Sequence, residues 1–224
     1  MKVIEIDKTV STQDEIKKYI GGGFSVAVFA SEQTGGRGTK GRSFYSRPGG
    51  VYASFIVGWR DLDAANAFRA TIRFSLAVVK TLEIYKIKPT IKWPNDIYVG
   101  DKKICGMLIE NHVKNGFIDY TVAGVGINVN NVIGEDLKEI ATSTEIVLNK
   151  KIDERKFFYH LVQNVEREYP DFLYKRYSCV LGKRIKVVSG DKEYFAVAKD
   201  ILPDGRLVLE SGQTLSAEEI SLKI

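Results

Sequence analysis

Cysteine is scarce: Cys105 and Cys179 are the only two among 224 residues, too few for the disulfide framework that holds a small secreted fold together. Histidine is equally scarce, and His112 and His160 cannot supply the ligands of a usual zinc site. No apolar run approaches the ~18 residues that a membrane span needs. The opening stretch, MKVIEIDKTV, lacks the long apolar segment of a signal peptide. A cytoplasmic protein with no membrane partner is therefore expected. There is no internal repeat and no low-complexity tract, so solenoids and compositionally biased tails are excluded too.

What the sequence does hold is an ordinary globular balance. Apolar residues make up 44% and charged residues 27%, which excludes disorder over most of the chain. The length suits one large domain with a small appendage. Lysine and arginine exceed aspartate and glutamate by 33 to 28, a net charge of +5, and they are spread along the chain. Such an excess reads either as a solvated surface or as preparation for an anionic ligand, nucleotide phosphates or nucleic acid.

Lys2–Asp7 reads as a strand. Ser11 and Thr12, followed three residues later by Asp14 and Glu15, make a doubled capping-box pattern that predicts a helix to about Ile20. Gly21, Gly22 and Gly23 stop it, and Phe24–Ala30 is an apolar strand buried on both faces. Ser31–Gly50 holds six of the twenty glycines with Arg37, Lys40, Arg42 and Arg47, and a loop so long and polar is functional or disordered. After the strand Val51–Trp59, Asp61 is placed to cap a helix whose stripe Leu62, Ala65, Phe68, Ile72, Leu76, Val79 and Leu82 recurs at helical spacing. Four strands follow, Thr90–Trp93, Ile97–Val99, Ile104–Asn111 and Phe117–Val129, the last two joined by an Asn115-Gly116 turn. Helices are expected near Ser143–Leu148 and from Asp153 to about Tyr177, the second interrupted at Pro170. From Gly182 the texture changes to short strands, Arg184–Ser189, Tyr194–Asp200 and Leu207–Glu210. A domain boundary near Leu181 divides the chain into 1–181 and 182–224, the second large enough for a small barrel.

Four segments carry chemistry. Gly35-Gly36-Arg37-Gly38-Thr39-Lys40-Gly41-Arg42-Ser43 nearly spells a P-loop, but Arg42 stands where lysine is required and no helix start follows. Its glycines still admit close backbone approach and its cations suit an anion; a flexible basic surface loop is the alternative. Lys92-Trp93-Pro94-Asn95-Asp96 sits at a rim between two strands. Its carboxylate can hold Mg²⁺ or fix a cation and its amide can read a base or a phosphate, although Pro-Asn-Asp is also good turn chemistry. Lys102 and Lys103 point to opposite faces of a strand; the inward one needs an anion, and Gly106 leaves room above it. Gly124-Val125-Gly126-Ile127-Asn128 lacks the third glycine of a dinucleotide fingerprint, but its small residues suit a flat adenine against the sheet.

The order and spacing of these segments resemble the biotin protein ligases. The serine-threonine pair that opens that family's first helix is matched by Ser11-Thr12-Gln13, and its glutamine before a glycine-arginine loop by Gln33 and Gly36-Arg37-Gly38-x-x-Gly41-Arg42. Lys92–Asp96 matches the Lys-Trp-Pro-Asn-Asp motif in full, Lys103 with Gly106 matches the essential lysine, and Gly124–Asn128 matches the Gly-x-Gly-Ile-Asn strand end. The small terminal barrel is matched by about Gly182–Ile224, so the likeness spans essentially the whole chain.

The resemblance implies an α+β fold, a mixed sheet flanked by helices with an SH3-like C-terminal barrel. It implies a ligase that converts biotin and ATP, with Mg²⁺, to biotinyl-5′-AMP and passes biotin to a lysine of a biotin carboxyl carrier domain. Carried over by residue, Ser11, Thr12, Gln13, Gln33, Gly36, Arg37, Gly38, Thr39, Lys103 and Gly106 bind biotin. Arg42, Trp93, Asn95, Asp96 and Asn128 bind ATP, and Lys103 and Arg37 are catalytic. No dedicated metal site is implied; Mg²⁺ comes with ATP, near Asp96. A homodimer through the sheet is expected. Two departures stand out: Thr39 replaces a second arginine usual in the loop, and Phe44 replaces a tryptophan. No DNA-binding region precedes Met1–Asp7, so operator binding is not expected. A lipoate ligase of the same fold is the alternative, although Ala53-Ser54 stands where its His-Asp pair belongs. From another class, a basic nucleic-acid-binding module remains open. Removing 182–224 is expected to leave a folded core with impaired ligation.

Overall fold

The computed structural model describes residues 1–22, 25–190 and 192–217 and the backbone of 221–223. The expected strand start at Phe24, together with Asp191, Ile220 and the side chain of Lys223, lies outside the described residues. The first half builds one seven-stranded sheet from β1 (Lys2–Thr9), β2 (Ser25–Gln33), β3 (Val51–Gly58), β4 (Thr90–Lys92), β5 (Asp96–Val99), β6 (Lys102–Lys114) and β7 (Phe117–Ile127), in the order β1-β2-β3-β7-β6-β5-β4. β1 and β2 run parallel and every other neighbour antiparallel, so the sheet is mixed. β3 is central, and seven of its eight residues are buried, as its unbroken VYASFIV run requires. Asn115 and Gly116 join β6 to β7 with φ of 52° and 83°, the pair of positive values that an Asn-Gly type I′ turn supplies.

Strand alternation gives the two faces different tasks. Odd positions such as Phe55, Met107 and Val125 enter the main core beneath α2 (Phe68–Ile84) and α4 (Glu154–Glu166), where Phe29 stacks on Phe158 at 4.8 Å between centroids. Even positions face the other way. Val26, Val28, Ile56 and Val122 are covered there by Ile16, which follows the single turn of α1 (Thr12–Glu15). Further along the same face stand Ser54, Gly106, Gly124 and Gly126, a trough with almost no side chains.

Several local expectations are corrected. Ser11 occupies the N-cap of α1 but makes no side-chain capping bond, and after Glu15 the chain tightens into a 3₁₀ turn, Ile16–Tyr19. The neighbouring Thr12 hydroxyl bonds Gln33 instead. β2 runs on past Ala30 to Gln33 because its backbone stays paired with β1 as far as Thr9, shortening the expected loop. Asp61 lies at φ 55° in a turn; Asp63 caps a 3₁₀ turn by accepting from Ala65 N, and α2 begins only at Phe68. In the second half, Ser143 caps α3 (Thr144–Leu148) and Asp153 caps α4, each accepting a backbone N–H of the first turn. The chain breaks before Pro170 and resumes in α5 (Phe172–Tyr177).

The last segment forms a second, antiparallel sheet from β8 (Arg184–Ser189), β9 (Lys192–Ile201), β10 (Leu207–Leu209), β11 (Thr214–Leu215) and β12 (Ser221–Lys223), ordered β11-β10-β9-β8-β12. Its inner residues Ile185, Val187, Leu207 and Leu209 belong to the same apolar cluster as Ile91, Trp93 and Tyr174 of the first part. The two sheets share one core.

Candidate active site

The floor of the trough is a chain of hydrogen bonds among uncharged side chains that ends on the Glu110 carboxylate. Gln33 Oε1, at the end of β2, accepts from Thr12 N at 2.8 Å and Thr12 Oγ1 at 3.0 Å. Ser54 Oγ lies 2.9 Å from Thr12 Oγ1 and 3.1 Å from Gln13 Oε1, and Gln13 Nε2 donates to Glu110 at 2.9 Å. Gln33 Nε2 continues to Ser46 Oγ at 2.9 Å, which donates to the Phe44 carbonyl at 3.0 Å. Thr12, Gln13 and Ser54 are buried, so their polar atoms are held in fixed directions. Ser54 was not singled out by the sequence reading. A small hydroxyl side chain at an even position within an apolar strand was the available signal.

The missing side chains have specific causes. A Cβ on Gly124 would lie 2.6 Å from Gln13 Oε1, and one on Gly126 2.5 Å from Phe44 Cε1. A Cβ on Gly106 would meet Lys103 Nζ at 2.9 Å. The glycines therefore seat Gln13, the Phe44 ring and the Lys103 amine, rather than a bare face for an adenine. Gly36 is equally constrained, since its Cβ would fall 2.5 Å from the Phe44 carbonyl. That contact belongs to a small clasp in the glycine-rich loop: Phe44 N donates to Gly36 O at 2.8 Å and Gly38 N to Arg42 O at 2.7 Å. Lys40 turns the tip at φ 59°. Arg37, bridged to Ser43, pairs with Asp14 at the rim.

Lys103 faces inward, 2.7 Å from Asp96 Oδ1, while Lys102 on the opposite face donates to Lys138 O at 2.5 Å. Asp96 is the anion that an inward lysine needs. Its position follows from register, because Asp96 on β5 lies opposite Gly106 on β6. Its neighbours in the motif are occupied structurally. Asn95 Nδ2 donates to Met107 O at 2.5 Å, and Trp93 Nε1, in the core, donates to Gly205 O at 2.8 Å. The Trp93–Pro94 peptide is cis, and the Pro94 carbonyl accepts from Tyr174 Oη at 2.6 Å.

Three cavities meet at Lys103. The narrow one, about 50 Å³, is lined by Ser11, Thr12, Gln13, Gln33, Arg37, Gly38, Thr39, Asp96 and Gly106. The largest, about 710 Å³, lies between the sheet and the terminal barrel, with Arg42, Lys92, Trp93, Asn95, Asp96 and Arg206 on its walls. The third, about 300 Å³, is bounded by Asn128, Asn131, Ile133, Leu137 and Ile140. Lys103 borders all three. The nucleotide residues read from the sequence are thus divided: Arg42, Trp93, Asn95 and Asp96 border one cavity and Asn128 another. Asn128 Nδ2 donates to Thr142 O at 3.1 Å and its Oδ1 accepts from Asn131 at 3.0 Å, which holds the turn after β7. Burial pushes the Lys92 ammonium below its usual range and raises Tyr98 to about 12. Burial also raises the Cys105 thiol, which keeps it protonated and inert.

The chain belongs to the Biotin/lipoate A/B protein ligase family, whose profile matches residues 6–128, more than half of it. It is 31% identical over 201 residues to the bifunctional ligase/repressor BirA of Bacillus subtilis, across 83% of this chain and 62% of that protein. It therefore spans less than two thirds of that relative. To the biotin–[acetyl-CoA-carboxylase] ligase of Mycobacterium tuberculosis it is 26% identical over 203 residues, 84% of this chain and 74% of the other. The structure of the biotin protein ligase from Aquifex aeolicus in complex with biotin and ATP matches it with a TM-score of 0.81 at 26% identity, covering 99% of this chain and 98% of that one.

Proposed function

We propose that the chain is a biotin protein ligase, which condenses biotin with ATP to biotinyl-5′-adenylate and passes the biotinyl group to a lysine of a carrier domain. The observation that carries this reading is one amine, Lys103 Nζ, shared by a narrow pocket with a polar floor and two larger cavities. A ureido ring presents neutral donors and acceptors, which suits Thr12, Gln33 and Ser54. These groups already bond one another, and a ureido ring can join that network through its own N–H and C=O where the apolar dithiolane of lipoate cannot, which favours biotin.

With the ring on this floor, the acid's tail runs toward Lys103. A carboxylate attacking an α-phosphate brings anion to anion. Lys103, held by Asp96, offsets the charge where it develops, and Arg37 adds a cation at the rim. The amides of Asn128 and Asn131 and the apolar wall of Ile133, Leu137 and Ile140 suit a nucleoside. Among the described residues no three His, Cys, Asp or Glu side chains group as a metal cage. Asp96 offers one carboxylate, the usual protein share for Mg²⁺ that arrives on phosphates, where the ion neutralises charge. The carrier's lysine then attacks the acyl carbon and AMP departs. The two unpaired thiols suit a reducing cytoplasm. β1, an edge strand of the sheet, offers the pairing for a homodimer.

The test is exchange of labelled pyrophosphate into ATP, expected to require both biotin and Mg²⁺. Exchange driven by lipoate and not by biotin overturns the reading. Salt-sensitive binding of DNA or RNA without such exchange would put a nucleic-acid-binding module in its place.

A further inference from the structure

Along the pocket floor three pairs of oxygens lie at hydrogen-bond distance: Gln33 Oε1 and Thr12 Oγ1 at 3.0 Å, Thr12 Oγ1 and Ser54 Oγ at 2.9 Å, and Ser54 Oγ and Gln13 Oε1 at 3.1 Å. Each pair needs one proton between its members. Only the hydroxyls of Thr12 and Ser54 carry one, since an amide carbonyl oxygen has none. Three contacts therefore share two protons, and the row is one proton short.

Both ends of the row are held as carbonyl oxygens. At one end Gln33 Oε1 takes the Thr12 N–H, and Gln33 Nε2 donates to Ser46 Oγ, whose own proton goes to the Phe44 carbonyl. At the other end Gln13 Nε2 lies 2.9 Å from Glu110 Oε2 and 3.5 Å from the Val122 carbonyl. A carboxylate and a carbonyl only accept, so Nε2 faces them and Oε1 faces Ser54. The Val122 contact stands at the limit of a hydrogen bond, which leaves Glu110 as the group that holds the amide. Were Gln13 reversed, its N–H would donate to Ser54, Ser54 to Thr12 and Thr12 to Gln33, and the row would be complete. Thr12, Gln13 and Ser54 are buried, where an unmet polar contact is costly. All four side chains of the row line the narrow pocket, so a donor seated there can supply the proton.

Glu110 acts only through Gln13. It stands four residues beyond Gly106 on β6, about 13 Å along the strand, at the end of the trough away from Lys103. Its carboxylate is shared at the surface with Lys17, 3.4 Å away.

We propose that Glu110 is a positioning residue that sets which ring the pocket accepts: by holding the Gln13 carbonyl inward it keeps the floor one proton short, and so selects a ring that donates an N–H. The proposal rests on the biotin reading, in which a ureido N–H supplies that proton. A ring of the same shape with oxygen in place of this N–H adds a lone pair where the floor lacks a proton.

The experiment measures equilibrium binding of biotin, and of the two cyclic carbamates in which oxygen replaces one or the other ureido N–H. It uses the full chain and its Glu110→Lys and Glu110→Leu variants. A lysine only donates, so it draws the Gln13 carbonyl outward and turns Nε2 toward Ser54; a leucine leaves the amide free to turn. The unaltered chain is expected to bind one carbamate about tenfold or more weakly than biotin, the scale of one hydrogen bond whose partner is left unmet. In Glu110→Lys, biotin should weaken by about tenfold and its advantage over that carbamate should shrink to within about twofold. Glu110→Leu should move the same way, and decides alone if the lysine variant fails to fold. Equal weakening of biotin and both carbamates, with the preference intact, makes Glu110 a structural prop and overturns the proposal. Unchanged binding in both variants overturns it too, as does an unaltered chain that binds all three acids alike. No binding of biotin by the unaltered chain removes the ligase reading itself.

Discussion

Lys103 is the residue on which the chemistry converges, and its loss should be felt in rate more than in binding. Lys103→Gln is expected to slow single-turnover adenylation by ~10²-fold or more, while the biotin dissociation constant changes far less, since the charge matters most as the carboxylate attacks. Rapid-quench kinetics beside equilibrium biotin binding checks this, and near-normal adenylation would remove the lysine from catalysis. Thr39 lines both the narrow pocket and the large cavity, at their junction. An arginine there gains reach to the acyl phosphate, so Thr39→Arg should slow adenylate release, timed by filtration. Lys40 beside it also borders the large cavity, turned there by its positive φ. Equal release rates from the two forms would show that Lys40 and Arg42 already close the site. At this scale the sequence was legible wherever residue type alone constrains the chemistry, as for an inward lysine needing an anion or a glycine marking absent bulk. It did not show what fills the absence. The ring of Phe44 meets Gly126 only because a loop and two strands fold together, and no local rule encodes that contact.

Among the elements, α4 offers the cleanest measurement. Asp153 Oδ1 accepts the Lys156 N–H at 2.8 Å, and Asp153→Ala should cost about 1 kcal/mol, lowering the melting temperature by roughly 2–4 °C in a chain of this size. Calorimetry or dichroism would show it, and an unchanged melting point would mean the helix is held by packing alone. Strands and their faces were legible because alternation and buried runs report directly on the sheet. Helix starts were legible only where one capping residue had no rival, as at Ser143 and Asp153. At Ser11–Thr12 the capping pattern competed with the demand of Gln33 for a hydroxyl, and tertiary contact won. At Asp61 the chain turns at positive φ instead, Asp63 caps only a 3₁₀ turn, and α2 starts without a side-chain cap.

At the scale of the molecule the change of texture at Leu181 marks a change of sheet but not of core. Trp93 and Tyr174 pack in one cluster with Ile185, Val187 and Leu207. A chain ending at Leu181 is therefore expected to expose these rings, to melt earlier and less cooperatively, and to aggregate, rather than to persist as an intact core. Scanning calorimetry of both lengths decides it; a truncated chain melting as sharply and as high as the full one would show a separable unit. The change of sheet was visible because short strands separated by turn residues begin after Gly182. The shared core was not, because apolar residues do not say which side of a boundary they will meet.

The strand order also sets a schedule for synthesis. β3 ends at Gly58, yet its neighbour β7 begins only at Phe117, and translation of the stretch between takes about 3–12 s at ordinary elongation speeds. Throughout that interval β3 has β2 on one side and an open backbone edge on the other, on the most apolar strand of the sheet. A nascent chain paused there is the form most exposed to aggregation, and the one a ribosome-associated chaperone would have to shield.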